Sequence, residues 1–386
     1  MTRIFKPVAL LCVLFIGTGA GAQTSKKDAD LKAPDGINLK VTFYSAGKPG
    51  PGVLLMHQCN RDRKTWDPLA TQLAEAGIHV LTLDYRGFGE SGGERRDSLP
   101  MQQMAAEQRK WPGDIDVAYQ YLLAQPGVDS ARIGAGGASC GVNNSIQLGR
   151  RHPEVKTLVL LSGNTDMDGI KYLESATGVP LFMSASEDDG DTVEQMQWLL
   201  AFSRNPLDKI VVYKAAGHGT EMFKVEKGLE PQILEWYEAR LLAPPASITA
   251  VKPTKPSPSA EIWDQLTAPG GAARVKKQLE EARKKNPDAS LFPEFAVNYL
   301  GYQYLQQGDT KAAIEVFKLN EFAYPRSANV YDSLGDAYLA DNQKELAIEY
   351  SEKAIQMLSE DHSIDEARAK LIRESAEDKL HQLQPK

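Results

Sequence analysis

The chain has 386 residues, with 44 Lys and Arg against 51 Asp and Glu and a formal net charge of −7 at pH 7. No basic stripe stands out to neutralise phosphates, so a nucleic-acid partner is not expected, and the length allows two domains. No His, Cys or acid grouping has zinc-ligand spacing, and no cofactor is called for.

Arg3 and Lys6 form a basic region, residues 8–16 an apolar one and Ala20-Gly21-Ala22 an A-x-A cleavage site. Residues 1–22 therefore read as a signal peptide, and the mature chain would begin at Gln23. The apolar run is too short to span a bilayer comfortably. An exported protein, periplasmic or secreted and without a stable membrane anchor, is expected. Removal of Cys12 with the signal leaves Cys59 and Cys140 in an oxidising compartment, an even count that permits one disulfide.

Polar residues follow, and the first strand is expected at 37–44. Pro49-Gly50-Pro51-Gly52 turns the chain into an apolar strand at 53–57. A helix over 66–76 stops at Gly77, and a strand spans 79–84. The glycines of 84–93 lack the spacing and the lysine of a phosphate loop, so that stretch reads as a structural turn near the mouth of a site. Met101, Met104 and Trp111 would either wall that mouth or pack ordinarily. A helix over 114–123 precedes a strand over 132–138. Further strands are expected at 157–162, 179–185 and 209–213, with helices over 192–203 and 231–241. Strands alternating with helices in this way predict an open, mostly parallel sheet covered on both faces, with sites at the strands' carboxyl ends. Between residues 162 and 179 there is room only for a short connection, so no large lid is expected.

Gly137-Ala138-Ser139-Cys140-Gly141 is a G-x-S-x-G pentapeptide between a strand and a helix. Such a turn is tight enough to need small residues two positions either side of the serine, and it exposes the hydroxyl at the strand's end. Downstream lie the acid cluster Glu187, Asp188, Asp189 and Asp191, and then His218 between Gly217 and Gly219.

Residues of about 35 to 242 resemble an α/β-hydrolase. The features are His57-Gln58-Cys59 after the first long strand, Asp84-Tyr85-Arg86-Gly87-Phe88-Gly89-Glu90-Ser91, the turn around Ser139, and Ala216-Gly217-His218-Gly219-Thr220 after the last strand. The resemblance implies a doubly wound sheet and a serine hydrolase, of the esterase or dienelactone-hydrolase type, acting on a small-molecule acyl substrate without a cofactor. It implies Ser139 as nucleophile, His218 as base and then acid, and an orienting carboxylate. Family members with Glu-x-Asp after the corresponding strand favour Asp189; Asp188 is the runner-up, with Glu187 and Asp191 behind it. Asp166 and Asp168 form a minor alternative. The oxyanion donors implied are the amides of Cys140 and, from the loop after His57, Cys59. Gln58 stands where the family usually has glycine, which leaves the backbone path of that loop open. If these two cysteines supply the donors, a Cys59–Cys140 disulfide would lock the oxyanion hole; two free buried thiols are the other reading.

Residues 243–260, rich in Pro, Ser and Thr, read as a semi-rigid linker. Beyond it the chain is helical and repeats itself. Leu300-Gly301 with Tyr304 recurs as Leu334-Gly335 with Tyr338, and Ala313-Ile314 as Ala347-Ile348, each offset by 34 residues. Residues of about 292–325 and 326–359 resemble two tetratricopeptide repeats. The first has Phe317 and Pro325 at the family's aromatic and proline positions, and the second has Ser351 and Ser359 there. A helix over 274–285 and one opened by the capping box Ser363-Ile364-Asp365-Glu366 would close the ends. The resemblance implies a concave face of Phe295, Asn298, Tyr302, Leu305, Asn329, Asp332, Asp336 and Leu339. A protein or peptide could bind there, or the array could pack on the hydrolase domain and shape its entrance. An interaction protein carrying an inactive hydrolase domain is the alternative to the enzyme, and within the enzyme class peptidase and lactonase readings stay open.

Overall fold

The structure, a computed structural model, describes residues 23–243, 252–362 and 364–383. The expected signal peptide and the first half of the Pro-rich segment lie outside the described residues. Among the described residues eight strands form one sheet: β1 (Ser25–Lys32), β2 (Asn38–Ser45), β3 (Gly50–Met56), β4 (His79–Leu83), β5 (Val128–Ala138), β6 (Val155–Leu161), β7 (Leu181–Ser186) and β8 (Lys209–Tyr213). Their order is β1-β2-β4-β3-β5-β6-β7-β8. The first two are antiparallel and the pairs from β4 to β8 are all parallel.

The pleat sends alternate residues of β3 to opposite sides. Leu54 and Met56 join a core with the helices α3 (Trp111–Leu123), α4 (Cys140–Arg151), α5 (Met167–Ser175) and α6 (Thr192–Phe202). Val53 and Leu55 join a second core with α1 (Asp67–Ala76), α7 (Met222–Val225) and α8 (Leu229–Tyr237). A short α2 (Met101–Gln108) precedes α3. Gly77, at φ 106°, ends α1 in the left-handed conformation that glycine adopts without a Cβ penalty.

Several elements differ from expectation: α2, α5 and α7 match no expected helix, β5 starts four residues before the expected strand, and three further differences bear on the reading. β1 lies where the sequence is nearly all polar. It is an edge strand, largely exposed, whose charges find partners beside it: Lys26 meets Asp67 at 2.7 Å and Asp30 meets Lys40 at 3.2 Å. A charged edge needs no apolar alternation and resists pairing with another chain. Helix α3 begins at Trp111, three residues before the expected start. The Trp111 ring is buried and stacks on Tyr85 at 4.5 Å, so it packs the core rather than walling a cleft. Finally, the expected linker ends early. Ser257 caps α9 (Pro258–Thr267) by accepting the Ala260 amide at 3.1 Å, and Thr254 exchanges hydrogen bonds with Arg204.

Seven helices follow among the described residues: α9, α10 (Gly271–Lys285), α11 (Glu294–Gln306), α12 (Thr310–Ala323), α13 (Ala328–Ala340), α14 (Lys344–Met357) and α15 (Glu366–Leu383). Helices α11 and α13 start 34 residues apart, as do α12 and α14. A Cβ on Gly301 would stand 2.3 Å from the Phe317 ring, so glycine there is what lets α11 and α12 approach. At the equivalent Gly335 the neighbour is the smaller Ser351, 3.0 Å away. Of the expected capping box, Ser363 lies outside the described residues; Asp365 accepts the Arg368 amide at 2.7 Å.

The helical region is not held apart from the sheet. The core around α6 runs on through Trp198, Phe202, Trp263, Leu266 and Val275, and Trp198 meets Trp263 edge-on at 5.6 Å. Much of the face expected to take a partner is engaged within the chain. Phe295 lies edge-on to Trp198 at 6.3 Å. The Tyr302 hydroxyl donates to Asp336, and the ammonium of Lys379 on α15 donates to Asp332 at 2.8 Å and Asp336 at 2.6 Å. Asn329 donates to Glu294 and accepts from Arg368.

Candidate active site

Ser139 sits between β5 and α4 at φ 54°, ψ −119°, a backbone conformation costly for a residue with a side chain. Three glycines make the turn possible. A Cβ on Gly137 would meet the Gly141 carbonyl oxygen at 2.0 Å, one on Gly141 the Met56 oxygen at 2.4 Å, and one on Gly163 the Ser139 oxygen at 2.5 Å. The turn is also tied to the next strand, since the Ser139 amide donates to the Leu161 carbonyl at 2.8 Å.

His218 follows β8, flanked by Gly217 at φ 78° and Gly219 at φ 59°. Its Nδ1 lies 2.7 Å from Oδ2 of Asp189. That carboxylate also accepts the Thr192 hydroxyl at 3.0 Å. Asp188 turns elsewhere: its Oδ1 accepts the Ser186 hydroxyl and the amides of Ala216 and Gly217, both at 3.2 Å. The Ser186 hydroxyl, then the amides, hold the Asp188 carboxyl below its ordinary range. Glu187 pairs with Lys214, and Asp191 accepts from Gln195. Asp166 caps α5 through the Gly169 amide, and Asp168 faces Arg150 at 3.7 Å. Among the acids considered, His218 is paired with Asp189 alone.

Ser139, Asp189 and His218 line one cleft of about 510 Å³. A cleft of about 620 Å³ is lined by Cys59, Arg63, Glu90 and Arg95 but by none of those three, so it lies outside this constellation. Arg63, which lines it, is paired with the buried Asp84, whose carboxylate also accepts the Arg63 and Glu90 amides. That network holds the 84–93 turn as a structural element.

Cys59 and Cys140 are joined by a disulfide, with Cα atoms 5.9 Å apart and a sequence separation of 81. Among the described residues neither cysteine's amide has an acceptor. His57 is fully buried and fixed as the Nδ1–H tautomer: Nδ1 donates to the Gln58 carbonyl at 2.7 Å and Nε2 accepts the Tyr85 amide at 3.2 Å. Burial pushes its imidazole below the ordinary range.

Several residues here escaped sequence reasoning. The Gln58 side chain, buried where glycine was expected, joins its loop to the His218 loop: Oε1 accepts the Thr220 amide at 2.8 Å and hydroxyl at 2.9 Å. Ser162 lines the cleft at φ 50°, fully buried, with a hydroxyl that has no partner among the described residues. Tyr299, on α11, lines it from the helical region. The departure from glycine at position 58 was a readable signal; Tyr299, beyond the linker, had none.

Sheet order and the sharp turn at Ser139 define an α/β-hydrolase-fold domain, followed by an all-α region. A family model described as serine aminopeptidase, S33, matches residues 47–188. The chain is 31% identical over 134 residues to an uncharacterized 31.7 kDa protein of Escherichia coli, which covers 34% of this chain and 44% of that one. It is 32% identical over 143 residues to an uncharacterized protein of Mycobacterium tuberculosis, covering 36% and 47%. The chain thus spans less than half the length of these relatives. Among solved structures it is similar to an esterase of Pyrococcus furiosus, at 20% identity and a TM-score of 0.46, covering 62% of this chain and all of that one. No helix of the described residues is long and apolar enough to cross a membrane.

Proposed function

We propose that the protein is an exported serine hydrolase that cleaves an ester or related acyl bond of a small molecule. The observation that carries this reading is the 2.7 Å approach of Asp189 to His218 Nδ1 in the cleft that Ser139 also lines. That pairing leaves Nε2 as the nitrogen available to the serine. Ser139 Oγ attacks the acyl carbon while His218 Nε2 takes its proton and passes it to the leaving group; water then releases the acyl group by the same route. Asp189 holds the tautomer and balances the imidazolium. The unpartnered amides of Cys59 and Cys140 stabilise the tetrahedral oxyanion, their positions held by the disulfide.

Helices α11 to α14 are two tetratricopeptide repeats in this reading, on the 34-residue offset and the Gly301–Phe317 packing. An interaction role for them is the second reading. The test is labelling with a fluorophosphonate beside Ser139→Ala and His218→Ala variants, mapping the modified peptide. Adduct on Ser139 that is lost in both variants supports the hydrolase. Folded wild type without adduct refutes it and favours the interaction role.

A further inference from the structure

The catalytic cleft has a chemical character of its own. Among the described residues no aliphatic side chain and no Lys or Arg lines it. Its walls are amides, hydroxyls, a phenol, the His218 imidazole, the Cys140 end of the disulfide, the backbone of Gly163 and Gly190, and the carboxylates of Asp189 and Asp191. Several of these groups have hydrogen-bonding capacity to spare among the described residues. Asn143 uses its side-chain oxygen to accept from Thr165 and Asp166, which leaves its NH2 unpartnered. Asn164 accepts the Thr165 amide, with its NH2 likewise unpartnered. Gln195 donates to Asp191 and keeps its oxygen free. Ser162, fully buried, has an orphan hydroxyl. A buried orphan such as the Ser162 hydroxyl costs free energy unless a ligand or water satisfies it, while the half-buried amides of Asn143, Asn164 and Gln195 are open to either.

The outer wall comes from the other region of the chain. α11 is fixed against the hydrolase fold by the Gln303 side chain, which accepts the Met167 amide at 3.1 Å, and by Phe295 against Trp198. Tyr299 lies between these two anchors on the same helix and lines the cleft; it is 37% exposed, with its phenol beside the Gln303 side chain. Burial pushes its phenol up to about 12, so it is a neutral donor throughout the working range.

Resting on the hydrolase reading above, we infer that Tyr299 is a substrate-contacting, specificity-determining residue. With Asn143, Asn164, Gln195 and Ser162 it recognises the polar, uncharged part of a small ester, one bearing hydroxyl groups rather than an alkyl chain. The helical region is thereby one wall of the catalytic site.

The test compares two acetate esters of similar size on the full-length mature protein, one of a hydroxylated alcohol (glycerol) and one of an alkyl alcohol (butanol). Wild type should favour the glycerol ester in kcat/KM. Tyr299→Phe, which keeps the ring and removes the hydroxyl, should lower the ratio between the two esters about three- to tenfold, the effect of one uncharged hydrogen bond, and should do so through KM. Asn164→Ala should move the ratio in the same direction. A loss that is only structural would lower both esters alike. An unchanged ratio in both variants, with wild type labelled by fluorophosphonate at Ser139, overturns this inference and leaves the hydrolase standing. Wild type that takes no label and cleaves neither ester overturns both.

Discussion

Gln58 and Thr220, 162 positions apart in sequence, meet through a single oxygen: the Gln58 carboxamide accepts both the amide and the hydroxyl of Thr220. One buried side chain thereby couples the loop of Cys59 to the loop of His218. Gln58→Leu leaves both Thr220 groups without that acceptor. We expect a loss of about 2–3 kcal/mol in urea denaturation, with a fall in kcat larger than any change in KM. An unchanged midpoint would show that the link is dispensable.

Asp188 and Asp189 are neighbours with different work. Asp189→Asn should reduce kcat by about 10³–10⁴, because an amide donor opposite Nδ1 favours the wrong tautomer. Asp188→Asn should leave kcat within about tenfold and act on acid stability instead. Its folded-state carboxyl is held below the ordinary value, so its contribution is present above about pH 4 and lost as pH falls through the folded value. Kinetics and acid titration of the two variants separate the roles.

Replacing both Cys59 and Cys140 by Ser should cost about 3–4 kcal/mol, given the 81-residue separation that the bridge closes. Dithiothreitol on the wild type should reproduce the effect and lower kcat while the fold persists. Full activity in the reduced protein would mean that the bridge only staples the chain.

His57 is buried as a neutral ring whose two nitrogens are both engaged. Its imidazole is pushed below the ordinary value by burial, so an unfolded chain binds that proton more readily than the folded one. Stability should therefore decline as pH falls below about 6.5. The urea midpoint of wild type against His57→Asn, measured between pH 7.5 and 5.5, checks this; parallel slopes would assign the decline to other groups.

Lys379 is a buried cation set between Asp332 and Asp336. Lys379→Met leaves two carboxylates facing each other in the helical region, and a loss of about 3–5 kcal/mol is expected. Adding Asp332→Asn should recover part of it, because the remaining penalty is an uncompensated charge rather than lost packing. A double variant no more stable than the single one would point to packing.

The parts of the molecule legible in the sequence are those where one residue type is needed for a local reason. Gly137 and Gly141 are required by backbone closeness at Ser139, and the apolar runs of β3 to β7 by burial on both sides. β1 was invisible because a charged edge strand carries no apolar alternation. The residues alone narrow the acid near His218 to a cluster, within which the family resemblance favours Asp189. What separates Asp189 from Asp188 is that Ser186, Ala216 and Gly217 have claimed the latter, a relationship across two loops. Tyr299 enters the cleft from the far side of a Pro-rich segment, and no local pattern marks a residue whose neighbours are a hundred positions away.

Chain growth runs from the amino end, and α11 comes late. A chain extended only to the end of the sheet domain already holds Ser139, Asp189 and His218, but its cleft is open on the side that Tyr299 will close. If the proposed roles hold, the groups for reactivity and the group for selectivity are thus made at different times in the life of each molecule. On the proposed reading, the helices that follow the sheet domain set what the cleft will accept, and the sheet domain sets what it can do.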